Sequence, residues 1–249
     1  MADKKPGTKE PQRSKCIRCG ECCRRGGPAL HHEDKDILRA GHAEHRHLVT
    51  IREGEWVFDQ ARGRLKPSAR ELVKVMGRGG NWGCFFYEEK GSACAIYEQR
   101  FLECRLMQCW DTSELEAVMG RGTIARTDIM NPKDPMLQAV IAHEHQCAFS
   151  DVENVLHALV EGKSGVDASS LLAKLTDMVH KDLAVRLIAT QKMGLQPAYE
   201  LFMFGRPMFK VLEGLGLKVE ERKGGGLELD WGSVRDVMKE MNQPAGAGQ

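Results

Sequence analysis

The feature that most constrains this chain is the run Cys16-Ile17-Arg18-Cys19-Gly20-Glu21-Cys22-Cys23. Four thiols fall within eight residues, and Cys84, Cys94, Cys104 and Cys109 answer them downstream. Thiols this dense either oxidise to disulfides or bind a soft metal, because a bare cluster of buried thiolates is too costly to desolvate. The compartment decides between the two. Residues 1–15 are rich in Lys, Pro and Gly and hold no apolar stretch of the kind that opens a secretory signal. They read as a disordered lead-in to a cytoplasmic protein, where cysteines stay reduced. The cysteine count is nine, an odd number, and 249 residues bury enough core to fold without covalent staples. Reduced cysteines at short spacing point to metal.

Composition removes several classes of function. A hydrophobic fraction of 42% beside 29% charged residues is that of an ordinary globular chain. No apolar run approaches the roughly 20 residues that span a bilayer, and a net charge of +1 makes no whole-protein case for nucleic acid. A protein partner stays open.

The expected fold class is α+β: a small cysteine-rich, metal-centred core with short strands, then a mainly α-helical region ending in a β-hairpin and a helix. The expected division is a lead-in (1–15), a cysteine-cluster domain (16–149), a helical region (150–242) and a tail (243–249). Within the first domain a helix is expected over 33–40, closed by Gly41. Two short strands or a hairpin follow over 49–59, with Gly54 at the turn. Ala69, Leu72, Val73 and Met76 stand at helical spacing behind Ser68, which predicts a helix over 68–76. A glycine-rich loop over 77–83 lacks the Gly-Lys-Ser/Thr ending of a phosphate loop and reads as delivery of Cys84. A short strand over 84–87 turns back toward Cys94, and a helix from about residue 98 presents Cys104. Asp111 or Thr112 caps a helix over 113–119.

Asp134-Pro135 opens another helix, with Met136, Val140, His143 and Cys147 along one stripe. His143 and Cys147 are a usable ligand pair there, against the plainer reading of two core residues. In the carboxyl half, Ser150 to Glu153 spell a capping box. A long helix over 168–193 turns Leu172, Leu175, Val179, Leu183 and Leu187 inward. Two helical pieces flank Gly205-Arg206-Pro207. A period-two hairpin surrounds the glycines at 224–226, and a last helix covers 233–241. This half shows no catalytic signature and reads as a packing partner for the cysteine core.

The cysteine spacing carries the chemistry. Cys16-x-x-Cys19 is a zinc-type knuckle, and Cys19-x-x-Cys22 overlaps it. The adjacent pair Cys22 and Cys23 is awkward for one tetrahedral ion but suits a polynuclear cluster, and the triple x2, x2 run is that of iron–sulfur ferredoxins without their Cys-x3-Cys-Pro ending. The balance goes to an iron–sulfur cluster over zinc. Cys84, Cys94, Cys104 and Cys109 have no Cys-x-x-Cys, so the fold must assemble them. Arg18, Arg24, Arg100 and Arg105 crowd these ligands and are candidates to offset the charge of a thiolate-bound group or to bind an anion. The patch of His42, His45 and His47, with His31 and His32 upstream, lacks the spacing of a closed site and reads as polar surface.

Cys16-x-x-Cys19-Gly20-x-Cys22-Cys23, together with Cys94-x-Ile96-Tyr97-Glu98-x-Arg100 and Cys104-Arg105-x4-Trp110, resembles the bacterial YkgJ-like cysteine-cluster family of zinc- or iron-chelating domains. The likeness covers about residues 16–110. It departs at Phe101, where the family often has Pro. It implies chelation by the eight cysteines and little about a reaction. A related cysteine cluster occurs in flagellin lysine methylases, but no adenosylmethionine-binding loop is visible here. Three functions compete: an iron–sulfur protein with a redox or enzymatic role, a structural zinc module for protein or nucleic-acid binding, and metal handling through the histidines. Whether the chain is an enzyme is left open.

Overall fold

A computed structural model describes residues 15–59, 63–78, 82–161, 167–222 and 226–230. The expected last helix over 233–241, the tail and almost all of the lead-in lie outside the described residues. The fold is α+β. Helices α1 (Glu21–Arg24) and α2 (Lys35–Arg39) precede β1 (Leu48–Ile51), β2 (Trp56–Asp59), β3 (Arg64–Pro67) and β4 (Leu72–Val75). These strands nest as antiparallel pairs, β1 with β4 and β2 with β3, so the two strands expected over 49–59 do not pair with each other. Gly54, at φ 75°, makes the bend between them, where a Cβ would stand 3.1 Å from that of Phe149.

The helix expected over 68–76 is instead the turn into β4. Val73 and Val75 are 0% and 1% exposed, two residues apart on one face, and β1, buried along its whole length, is their partner. β-Branched residues on a pleated, buried surface override a helical spacing that four residues cannot enforce. β5 (Tyr87–Glu88) and β6 (Ala93–Cys94) form a short hairpin, with Cys84 just outside it and bridged to Gly77. Then come α3 (Leu102–Leu106), which carries Cys104, α4 (Ser113–Val118) and α5 (Met136–Gln146). Asp134 Oδ1 accepts the Met136 amide at 2.9 Å, as its capping role requires.

The carboxyl half is α6 (Phe149–Glu161), α7 (Ala168–Lys192), α8 (Glu200–Phe204), α9 (Met208–Gly214) and the hairpin β7 (Lys218–Glu221) with β8 (Leu227–Asp230). α6 starts at Phe149, so Ser150 lies within its first turn rather than at its cap. On α7, Leu175 and Val179 are buried, but Leu187 is 53% exposed. The inward stripe runs through Asp182 and Arg186 to Ala189, and Leu187 sits about 100° around the helix from it.

Two cores hold the halves together. One gathers Leu48, Val73, Val75, Phe86, Phe101 and Val140 around Phe202 and Phe204 of α8. The other joins Trp56 and Phe149 to α6, α7, α9 and β8. A buried ionic seam lies beside them. Arg52, 0% exposed, donates from Nε and Nη2 to the two oxygens of Glu144 at 2.7 and 2.9 Å. Arg126 bridges Glu144 and Glu71, and Arg206 reaches Glu55 at 2.5 Å. Arg186 donates to Asp182, to Glu200 and to the carbonyls of Phe204, Gly205 and Arg206, closing the end of α8. Nothing in the spacing of these residues announced the seam, because each pair is distant in sequence or looks like solvated charge.

Candidate metal centre

The first core ends at a surface of thiols. Gly20, at φ 75°, lets α1 turn immediately after Cys19, and a Cβ there would stand 2.2 Å from the Tyr87 hydroxyl. That hydroxyl accepts from Arg24 Nη1 at 2.6 Å, while Arg24 Nη2 donates to the Cys19 carbonyl at 3.0 Å. The cysteine run is thus seated on β5 by a glycine, a tyrosine and an arginine. The Cys23 carbonyl accepts the Cys84 amide at 2.7 Å, which joins the two cysteine groups through backbone. Tyr87 pairs with Cys94 across the hairpin, and α3 supplies Cys104. We expect Gly20→Ala to lower stability by about 1–3 kcal/mol, from the left-handed φ and the clash together, and to reduce metal uptake. Urea unfolding and metal analysis of the variant check both.

Cys22, Cys23, Cys84, Cys94 and Cys104 share one electrostatic neighbourhood. Cys22 and Cys23 Sγ are 4.0 Å apart. The hydrogen bond from Cys23, ahead of opposing burial, pulls the Cys22 thiol down to about 6, with Arg100 assisting. The same bond holds Cys23 protonated, reinforced by burial and by Cys84 and Cys104. Burial first, then the neighbouring thiols Cys94 and Cys22, pushes Cys84 up. Burial likewise raises Cys94, against the pull of Arg100. Cys104 is raised furthest of these three, by burial and then by Cys84, Cys94 and Cys22. Five thiols whose charges oppose one another cannot all ionise on their own. A cation between them is what would let them do so.

Cys16, Cys19, Cys22 and Cys109 are exposed, Cys23, Cys94 and Cys104 half-buried and Cys84 buried. Cys16 Sγ accepts the Arg18 amide at 3.4 Å within the knuckle. All nine cysteines are reduced thiols. Among the described residues, no group of three or more His, Cys, Asp or Glu side chains stands in ready metal-holding geometry. The all-sulfur donor set is nonetheless one that suits zinc or iron and that no hard cation would select.

The arginines are placed by aromatic rings. Arg18 and Arg100 lie over the Tyr97 ring, 3.8 and 4.0 Å from its centre. Arg105 Nη1 donates to the Arg100 carbonyl at 2.6 Å. The role of Tyr87 was not visible in the sequence; Gly20, directly after a cysteine, was the one local sign of a close approach. An open cleft of about 590 Å³ runs from Cys84 along Gly83, Tyr87, Glu88, Glu89 and Lys90 to Arg78.

His143 and Cys147 take no part in this centre. The His143 Nε2–H donates to Asp182 Oδ1 at 2.6 Å, and both side chains are 0% exposed. Burial pushes the Cys147 thiol up to about 11, and its Sγ lies 3.7 Å from the Met178 carbonyl. They are core residues. The histidine patch is also dispersed: His31 is buried against Glu103, His45 stacks on Phe202 and His47 on Phe85, while His42 faces solvent.

Cysteines borne by a loop, a hairpin and a helix of an α+β fold are the setting of a metal-binding domain. The chain belongs to the CxxCxxCC family, described as a "putative zinc- or iron-chelating domain", which matches residues 15–147, more than half of its length. No curated protein and no solved structure is similar enough to match it. No helix among the described residues is long and apolar enough to cross a membrane.

Proposed function

We propose that this is a cytoplasmic iron–sulfur protein whose cluster is held by cysteines of both groups, with a redox or enzymatic role. The observation that carries this reading is that the two cysteine groups adjoin: the Cys84 amide donates to the Cys23 carbonyl at 2.7 Å, Cys22 and Cys23 Sγ are 4.0 Å apart, and Cys84, Cys94 and Cys104 act on that pair through their charge. A tetrahedral ion takes four ligands, whereas a polynuclear centre accepts sulfurs from more directions, including an adjacent pair. Cys16, Cys19 and Cys109 at the rim complete the set of eight. Arg18, Arg24, Arg100 and Arg105 form a basic collar that offsets the charge of a thiolate-bound group. An iron–sulfur cluster held there would supply one-electron chemistry; the chain's own residues would position it, balance its charge and limit its exposure to water.

A second reading, a structural zinc module for protein or nucleic-acid binding, draws support from the Cys16–Cys19 knuckle and the Arg18 amide directed at Cys16 Sγ. Purification without oxygen, followed by iron, acid-labile sulfide and zinc analysis, separates the two. The iron–sulfur reading expects a coloured protein with iron and sulfide in comparable amounts. A colourless, sulfide-free protein holding stoichiometric zinc would replace it with the zinc module.

A further inference from the structure

Lys74 lies on β4, paired with Val49 on one side and bridged to Ala29 on the other. Its neighbours Val73 and Val75 point into the core, so its own side chain emerges on the opposite face, half-buried. There its ammonium reaches Gly26: a Cβ built on that glycine would stand 3.9 Å from Lys74 Nζ. The Gly26 amide donates to the Cys23 carbonyl at 3.4 Å, and the Cys84 amide donates to the same carbonyl at 2.7 Å. The ammonium is therefore carried to the junction where the two cysteine groups meet, and its charge acts on the Cys84 thiol.

The carboxylate within its electrostatic reach, Glu103, is already engaged. One oxygen accepts the Ala29 amide at 2.8 Å and the other pairs with His31 at 3.3 Å. Glu103 and Cys84 are the opposite charges that act on the Lys74 ammonium. Thiolates gathered on a divalent ion or an iron–sulfur cluster keep net negative charge, so a fixed cation beside them strengthens binding.

On the metal reading above, we infer that Lys74 is a positioning residue for that centre: its ammonium neutralises thiolate charge at Cys84 and thereby sets metal affinity. Cobalt(II) is a suitable probe, because thiolate ligation gives it a near-ultraviolet absorption band. Full-length wild type, Lys74→Met and Lys74→Arg would be titrated with cobalt(II) in a chelator buffer. Lys74→Met should bind about tenfold or more weakly, while Lys74→Arg, which keeps the charge, should stay within about threefold of wild type. Circular dichroism of the metal-free proteins should be unchanged, and should Lys74→Met fail to fold, Lys74→Gln carries the same expectation. Wild-type affinity in the neutral variant, or equal losses in the neutral and arginine variants, would overturn the inference. A wild-type protein that develops no thiolate band would overturn the metal reading itself, and this inference with it.

Discussion

Cys104→Ala should empty the metal centre, leaving less than about a tenth of the wild-type metal per chain, whereas Cys147→Ala should keep full loading. Both residues are cysteines on or beside a helix, and neither belongs to a Cys-x-x-Cys pair. What separates them is their surroundings. Cys104 projects from α3 among Cys84, Cys94 and Cys22, whose charges raise its pKa after burial has done so. Cys147 lies wholly inside the second core, with Phe149, Val152 and Met178 for company. Its loss is a packing defect of about 1 kcal/mol, visible as a lower urea midpoint with no change in metal content. Elemental analysis of the two variants, prepared anaerobically beside wild type, checks the contrast. Equal loading in both would exclude Cys104 as a ligand.

Asp182→Ala should destabilise the protein by about 3–5 kcal/mol, because it removes the buried carboxylate that Arg186 and His143 share. Asp182 is 0% exposed and accepts from Arg186 Nε at 3.0 Å, Arg186 Nη2 at 3.1 Å, the Met208 amide at 3.0 Å and the His143 ring. Removing it leaves Arg186 and His143 without their shared acceptor inside the fold. For a chain of this size, that loss lowers the thermal midpoint by on the order of 10 °C.

The same group predicts a pH dependence. Burial pushes the Asp182 carboxyl up, but the His143 hydrogen bond and Arg186 outweigh it and hold the pKa at about 2. The unfolded carboxyl titrates near 4. The stabilisation from Asp182 is therefore complete above about pH 4 and is lost as pH falls toward 2. His143 works in the same direction. Burial lowers its pKa from 6.5, so below that pH the unfolded chain binds the extra proton and stability declines. Urea unfolding from pH 7 to pH 3 should show a falling free energy, and Asp182→Asn should flatten the part of that fall below about pH 4.

Much of the α/β character was legible because short-range chemistry dictates it. Gly41 closes α2, Asp134 caps α5, the Asp167 side chain accepts the Ser169 amide at the start of α7, and Gly205 separates α8 from α9. Each signal sits within a few residues of the turn it makes. The strand over 72–75 was misread because four residues satisfy either period, and only the partner strand decides between them. Leu187 was misread for a related reason. An apolar residue near a helical stripe says nothing about whether Asp182 and Arg186 have already taken that face.

The metal-binding character of the chain follows from the sequence by itself. Cysteines at x2 spacing, with an adjacent pair, leave a soft metal as the natural partner of so much sulfur. Tertiary structure alone decided which cysteine-bearing segments adjoin. The segments that carry Cys22, Cys23, Cys84 and Cys94 adjoin because the Cys23 carbonyl accepts the Cys84 amide and a hairpin of two-residue strands returns the chain to Cys94, while the five-residue α3 carries Cys104, some eighty residues from Cys22. It also decided that Cys147 and His143 lie elsewhere, since what a cysteine or histidine does depends on the electric field and packing around it. Those come from residues distant in the chain, which no local spacing encodes.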